Sequence, residues 1–233
     1  MQAISLRPLS DGDSLEELTE MLHRAFSRLG QMGLNCTCTD QSVAVTRERI
    51  EKGACYVAFC DGRPVGTITL YGPQPGSESA WYHRQAVASI HQLAVDPEFQ
   101  DSGLGTELLK FAEGWARDHR YQELALDTPQ PAKHLVAFYM GHGYRPVESL
   151  TFQGKYYRSV VLSKGLAEQD VINALALPLL HAQRFGSSFP VVRPSEGIRR
   201  RFSHIDRRHP SARNEYRARS SERLPRHFRY PSV

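Results

Sequence analysis

The chain has 233 residues, which is long enough for one folded domain and a further segment, and its net charge is +4. It contains no run of about 18 apolar residues, and its N-terminus lacks the apolar core of a signal peptide, so we expect a cytoplasmic protein without a membrane partner. The four cysteines fit neither a zinc site nor a secreted disulfide framework, so we expect reduced thiols and no bound metal.

Hydrophobic periodicity predicts a strand and two helices in the first part of the chain. Residues 3–9 alternate as a strand does. Apolar residues then recur at helical spacing over 13–29, with Asp13 as the predicted N-cap. Residues 42–53 predict a second helix.

A group of strands follows these helices. Residues 54–72 predict two strands joined at Asp61-Gly62, a strong hairpin signal. A segment rich in Pro, Gly and Ser at 73–79 ends this part of the sheet, and 89–97 predicts the next strand. From there the pattern predicts a helix at 103–120, a strand at 121–128, a helix at 131–143 and a strand pair at 144–164.

The charge is divided unevenly along the chain. Residues 187–233 hold twelve arginines, no lysine and four acidic residues, a net charge of +8, whereas the remaining 17 basic and 21 acidic residues give −4. We expect this basic tail to be disordered and to lie outside the fold, because it has few apolar residues. Residues 166–186 predict a helical bridge that packs on the folded body or on a second copy in a homodimer.

The segment QDSGLG at 100–105 places two glycines at the start of a predicted helix, directly after a strand. A helix N-terminus has unpaired N–H groups and a partial positive charge, and glycine lets the backbone approach an anion closely. The context therefore predicts a phosphate-binding loop. A P-loop is excluded because Thr106-Glu107 follows Gly105, and a dinucleotide fingerprint is excluded because three strands, including the hairpin, come first.

The segments LAVDPEFQDSGLGTELL and LVAFYMGHGYRPV follow each other along the chain. Because of these two segments and their order, residues 1–165, approximately, resemble the GNAT superfamily of N-acetyltransferases. LAVDPEFQDSGLGTELL is similar to the acetyl-CoA loop of that family, and LVAFYMGHGYRPV is similar to its second signature. A separation of 39 residues between Gln100 and Tyr139 joins the two. The resemblance implies an α/β (α+β) fold with a mixed, mostly antiparallel central sheet of about seven strands, flanked by helices.

The resemblance also implies a function, the transfer of the acetyl group of acetyl-CoA to a small-molecule primary amine by direct attack in a ternary complex. The strand before the loop would pair with the pantetheine arm, and the loop N–H groups would bind the diphosphate. The cofactor-binding residues implied in this way are Leu93, Ala94, Val95, Gln100, Asp101, Ser102, Gly103, Leu104, Gly105 and Thr106.

Catalysis needs a proton donor for the CoA sulfur and a neutral attacking amine. By resemblance, Tyr139 is the general acid. Some relatives use a glutamate as general base where this chain has Ser89. Strand alternation predicts Ser89, His91, Leu93 and Val95 on one face, so His91 is our candidate base; proton removal through water, or capture of a neutral amine, stays open.

Several positions depart from the family pattern or concern the acceptor. Relatives often carry a basic residue at the position of Ser102, and Asp101 brings a negative charge near the expected diphosphate. These two residues leave open a sensor that binds acyl-CoA without efficient turnover. Ala132 replaces a common Asn, so Lys133 or His134 are alternative phosphate contacts.

The acceptor site is expected around 27–41, which has no acid cluster suited to a polyamine or aminoglycoside. The loop 75–88 is expected to border it, with Arg84 suited to a substrate carboxylate. A rival hypothesis is nucleic-acid binding by the basic tail, through phosphates and aromatic stacking.

Overall fold

The computed structural model describes residues 3–166. The basic tail and all but the first residue of the predicted bridge therefore lie outside the described residues. Seven strands form one sheet in the order β1-β2-β3-β4-β5-β7-β6. The strands are β1 Ile4–Pro8, β2 Ala54–Cys60, β3 Arg63–Tyr71, β4 Val87–Val95, β5 Glu123–Pro129, β6 Arg145–Leu150 and β7 Ser159–Gly165.

Four α-helices flank the sheet within the described range: α1 Leu15–Gln31, α2 Val43–Glu51, α3 Leu104–Asp118 and α4 Lys133–Gly141. Short 3₁₀ turns at Thr37–Thr39, Ala80–His83 and Pro97–Phe99 were not predicted. All strand pairs are antiparallel except β4 with β5, so the predicted mixed and mostly antiparallel sheet is confirmed. None of the helices in residues 3–166 is both long and apolar enough to span a membrane.

The N-cap prediction for α1 was wrong by one residue. Ser14 is the N-cap, and its hydroxyl accepts from the Glu17 N–H at 3.1 Å. Asp13 instead pairs with Arg7 at 2.7 Å and accepts from the Ser10 N–H. The Arg7 guanidinium holds the pKa of the Asp13 carboxyl well below its usual range. Asp13 therefore ties the end of β1 to the start of α1.

The predicted hairpin is confirmed by its backbone geometry. Asp61 and Gly62 have φ of 50° and 80°, the left-handed pair that a two-residue turn of type I′ requires. The turn sets β2 and β3 in antiparallel register.

The two faces of the sheet are buried by different helices. Helices α3 and α4 cover the face that carries Ile68, Ile90, Leu124 and Leu162. Helix α1 packs through Leu18, Met21 and Leu22 on the opposite face, against Val57, Phe59 and Ala94. Alternation along β2 explains the division, because successive side chains of a strand point to opposite faces.

Two irregularities in the centre of the sheet create a gap. The parallel pairing of β4 with β5 runs from Val87↔Glu123 to Ile90↔Leu126 and stops there, although both strands continue. Immediately after, Gln92 adopts a left-handed φ of 49° where the register with β3 shifts. The last residues of β4 therefore have a strand partner on the β3 side alone.

The bulge also corrects the predicted alternation. Ser89 and His91 lie on the face covered by α1 and α2, since His91 stacks on Tyr71, whose hydroxyl bonds to the Arg49 carbonyl. Leu93 and Val95 instead pack into the cluster under α3 and α4. An extra residue in a bulge inverts the alternation of everything that follows, so the predicted shared face was wrong.

One ion pair fixes helix α1 to the end of β4. Two nitrogens of Arg24, Nε and Nη2, donate to one oxygen of Asp96 at 3.0 and 2.7 Å, and the other oxygen accepts from the Glu98 N–H at 3.2 Å. The Asp96 side chain is 2% exposed. A buried carboxylate with three donors holds the segment that leads from β4 into the loop before α3.

We predict that Asp96→Ala lowers the free energy of unfolding by about 1–3 kcal/mol, because it removes charge-assisted bonds to a buried group. Glu98→Ala is the matched control, since the Glu98 pair with Arg63 is solvent-exposed. Chemical denaturation should show a clear loss for Asp96→Ala and none for the control. Equal losses would contradict the special role of the buried pair.

Candidate active site

The loop that precedes α3 forms a left-handed turn at the end of β4. Gly103 is the N-cap of α3 and has φ of 90°, and Asp101 before it has φ of 58°. No atom lies within 4 Å of a Cβ built on Gly103, so open space surrounds this side of the turn. The N–H groups of Leu104, Gly105 and Thr106 begin the helix and have no intrahelical partners.

Side chains of the loop serve mainly to hold its shape. The Gln100 amide donates to the Val95 carbonyl at 3.2 Å and so ties the loop to the end of β4. The Ser102 hydroxyl donates to the Phe99 carbonyl at 2.6 Å and accepts from the Leu104 N–H at 3.4 Å. Asp101 is exposed. The backbone therefore offers most of the donors that face solvent here.

Helix α4 packs beside the start of α3. A Cβ on Gly105 would lie 3.6 Å from the Phe138 ring, an ordinary contact distance, and Thr106 Oγ1 lies 3.0 Å from His142 Nε2. His142 Nδ1 donates to the Phe138 carbonyl at 2.8 Å, so a neutral His142 accepts from Thr106. These contacts place the α4 aromatic residues next to the loop.

The open edge of β4 lies directly before this loop. Leu93 and Val95 point toward α3, and Ala94 toward α1. The β5 side of this stretch has no strand pairing, so the peptide groups that face it, apart from the Val95 carbonyl bonded to Gln100, are available to a ligand that contains amide groups. The structure thus brings together two sets of predicted cofactor-binding residues, Leu93–Val95 and Gln100–Thr106.

Tyr139 lies on α4 and is 8% exposed. Its ring makes edge contacts with Phe138 and Tyr144, at centroid distances of 5.3 and 6.2 Å. Burial raises the pKa of Tyr139 far above its usual value, and the charge of Asp127 raises the pKa further. Asp127 lies near the end of β5, and the phenol of Tyr139 keeps its proton at neutral pH.

His91 lies beside the gap, on the face of the sheet that α1 and α2 cover. Its ring stacks on Tyr71 at 4.1 Å, and its Nε2 lies 3.1 Å from the Gln74 amide nitrogen and 3.0 Å from Ser89 Oγ. With the amide oriented in this way, Nε2 is the acceptor. Burial lowers the pKa of His91 to about 3, so the imidazole is neutral at pH 7.

Asp127 is a candidate functional residue that the sequence reasoning missed. It lies on β5 one residue past the end of the β4 pairing, and Tyr82 Oη donates to its Oδ1 at 3.1 Å. Burial raises the pKa of the Asp127 carboxyl. The available signal was an acid inside the otherwise apolar strand LALDT, because a buried carboxylate is costly without a role.

The remaining predicted contacts are distributed around the site. Tyr82 joins the loop 75–88 to Asp127 through its hydroxyl. Arg84 stacks over Trp81 at 4.2 Å and pairs with Glu123 at 3.2 Å, so Glu123 already balances its charge. Lys133 is exposed at the start of α4.

Comparison with known sequences gives a family match and similar enzymes, two of which are named here. Residues 15–144 match the model of the Acetyltransferase (GNAT) family. The chain is 31% identical over 134 residues to the S-(2-succino)cysteine N-acetyltransferase of Bacillus subtilis (strain 168), covering 55% of this chain and 77% of that protein. It is 28% identical over 149 residues to the aminoglycoside N(6')-acetyltransferase type 1 of Stenotrophomonas maltophilia, covering 64% and 79%.

Solved structures share the fold. A GNAT family acetyltransferase from Elizabethkingia anophelis with acetyl-CoA bound has a TM-score of 0.51 and 18% identity, covering 71% of this chain and 99% of that one. The ribosomal-protein-S18-alanine N-acetyltransferase from Escherichia coli has a TM-score of 0.53 and 14% identity, covering 71% and 95%.

We predict opposite effects for alanine at two glycines of α3. Gly103→Ala should lower the free energy of unfolding by about 1–2 kcal/mol, because a Cβ is disfavoured at φ of 90°. Gly114→Ala should raise it by about 0.5–1 kcal/mol, because Gly114 lies inside the helix with open space around it. Urea denaturation measures both. A neutral Gly103→Ala would show that the left-handed turn is not required.

Proposed function

The chain belongs to the acetyltransferase (GNAT) family, and we propose that it transfers the acetyl group of acetyl-CoA to a small-molecule primary amine, by direct attack in a ternary complex. Members of the family use acetyl-CoA as the acetyl donor. The two similar enzymes named above are named for acetylation of S-(2-succino)cysteine and of aminoglycosides, which are small molecules that carry amines. Bound acetyl-CoA would supply the thioester carbonyl and the thiolate that leaves.

The observation that carries the proposal is the end of the β4–β5 pairing at Ile90 and Leu126, next to the N-terminus of α3. An extended arm with amide groups can pair with an unpaired strand edge, and a helix N-terminus is suited to a diphosphate. These two features meet at the end of β4. Gly103 supplies a turn with open space around it, so the residues present fit the donor.

Each part of the donor site has an assigned role in this proposal. The peptide groups of Leu93, Ala94 and Val95 would pair with the pantetheine arm. The N–H groups from Asp101 to Thr106 would bind the diphosphate, and Gln100 would hold the loop against β4 through its bond to Val95. Because Asp101 is exposed, its carboxylate is free to point into solvent, away from the anion.

Tyr139 is the proposed proton donor to the departing sulfur. A phenol whose pKa is raised stays protonated at neutral pH, so it can donate a hydrogen bond to the sulfur and pass on its proton as the thiolate forms. No hydrogen bond within residues 3–166 engages the Tyr139 hydroxyl, so its proton is available for transfer.

Asp127 is the proposed proton acceptor for the amine. Burial raises the pKa of its carboxyl, which makes the carboxylate a stronger base than an exposed one. Tyr82 orients the carboxylate from one side. The hypothesis that His91 is the base stays a prediction. The His91 Nε2 is bonded to Gln74, and its lowered pKa makes the imidazole a weak proton acceptor. A role in positioning Ser89 and Gln74 therefore fits His91 better than a role as base.

The experiment that tests the proposal is release of CoA thiol from acetyl-CoA on addition of amines. We predict amine-dependent release by the wild-type protein and a loss in kcat of roughly 100-fold for Tyr139→Phe, with little change in acetyl-CoA affinity. Tyr144→Phe, in the same aromatic cluster, is the matched control and should retain activity. Binding of acetyl-CoA without turnover of any amine would favour the sensor hypothesis instead.

A further inference from the structure

We propose that the acceptor carries a carboxylate as well as its amine, and that Arg49, assisted by Lys155, binds this carboxylate beside Asp127. The inference rests on the proposed function and specifies its substrate class as α-amino acids and their derivatives. It goes beyond the sequence expectation, which placed the carboxylate contact at Arg84.

Arg49 is a half-buried cation without an acidic partner. It lies in the last turn of α2, where its Nη1 donates to Gln41 Oε1 at 2.8 Å and to Cys38 Sγ at 3.0 Å. Both acceptors are uncharged, because burial raises the pKa of the Cys38 thiol. No salt bridge in the described part of the chain involves Arg49. A guanidinium has five N–H donors, so it retains donors for a ligand.

The position of Arg49 is fixed relative to the site by its own backbone. Its carbonyl accepts from the Tyr71 hydroxyl, and the Tyr71 ring stacks on His91 at 4.1 Å. His91 in turn makes an edge contact with Tyr82 at 5.8 Å, and Tyr82 bonds to Asp127. A continuous row of contacts therefore connects α2 with the proposed proton acceptor.

Lys155 is a second cation held by uncharged groups. Its Nζ donates to the Asn35 carbonyl at 2.8 Å and to Thr37 Oγ1 at 2.9 Å, which attaches the loop between β6 and β7 to the segment after α1. That segment is the one in which the sequence predicted the acceptor site. Nearby, the Tyr157 hydroxyl donates to Cys36 Sγ at 3.4 Å and closes the same junction.

The two cations act on one carboxylate. The positive charges of Arg49 and Lys155 both lower the pKa of Asp127, against the larger upward effect of burial. Both charges also act on the buried Cys38. Both side chains also bond to one segment, Arg49 to Cys38 and Gln41 and Lys155 to Asn35 and Thr37. Arg49 and Lys155 therefore both border the space between α2, the segment 35–41 and the end of β5.

This arrangement matches a substrate with one positive and one negative group. The ammonium form of the amine would meet Asp127 before it loses its proton, and the carboxylate would meet Arg49, which favours planar anions. A polycationic amine needs several acids instead. The segment 27–41 has one acid, Asp40, which is exposed. The charges therefore favour an amino acid over a polyamine or an aminoglycoside.

The test compares amines that differ in the carboxylate alone. Each member of a panel of α-amino acids, including S-(2-succino)cysteine, is paired with its α-carboxamide, and an aminoglycoside is added. Full-length wild-type protein should acetylate at least one acid with kcat/KM more than about 10-fold above that of its amide. Preference for the amides or for the aminoglycoside would overturn the inference.

Variants separate recognition by Arg49 from its structural contacts. Arg49→Gln should lower kcat/KM for the preferred acid by about 10- to 100-fold, mainly through KM, and change that for the amide less than about threefold. Arg49→Lys should lie between, and Arg47→Gln, at an exposed position of the same helix, should match wild type. An equal loss for acid and amide would indicate a structural role and contradict the proposal.

Binding distinguishes failure of this inference from failure of the proposed function. If no amine is acetylated, the proposed function is contradicted, yet thermal stabilisation by the same acids and amides still measures recognition. Stabilisation by acids that is absent with amides and lost in Arg49→Gln would support the carboxylate site without turnover. Equal stabilisation by acids and amides would overturn it.

Discussion

The site depends on one constraint, the end of hydrogen bonding between β4 and β5. Parallel strands normally satisfy each other's peptide groups along their length, and here the pairing ends at Ile90 and Leu126 while both strands continue. The bulge at Gln92 redirects β4 at this point. Peptide groups are thereby released inside the molecule, and a bound ligand can replace the missing strand. The Arg24 bond to Asp96 then fixes the direction of the loop that follows.

The two faces of the gap differ in their electrostatics. On the α3 side, donors are mainly backbone N–H groups at a helix start, which suits an anion that is held without a matching side-chain charge. Among the titratable groups, Tyr139 lies on the α4 side, where burial raises its pKa. Asp127 and His91 lie on the opposite side, where burial raises the pKa of Asp127 and lowers that of His91. Proton donor and acceptor thus have separate environments on one sheet.

Much of this could be predicted because it depends on local chemistry. Asp61-Gly62 specifies its own turn, and Gly103 needs a left-handed φ that the sequence context of a loop before a helix already suggests. The bulge could not be predicted, because nothing in SIHQLAV interrupts its alternation and Gln92 takes its conformation from pairing with β3. Asp127 was missed for a related reason: its importance comes from Tyr82 and Tyr139, which are distant in sequence.

The measurement that tests the central claim most directly is thermal stability of the full-length protein with acetyl-CoA, compared with ATP at equal concentration. Binding to the folded state alone should raise stability by about 2.7 kcal/mol at a hundredfold excess over the dissociation constant. The account predicts a clear increase with acetyl-CoA and little with ATP, because ATP lacks the arm that pairs with β4. No increase with acetyl-CoA, or an equal increase with ATP, would contradict it.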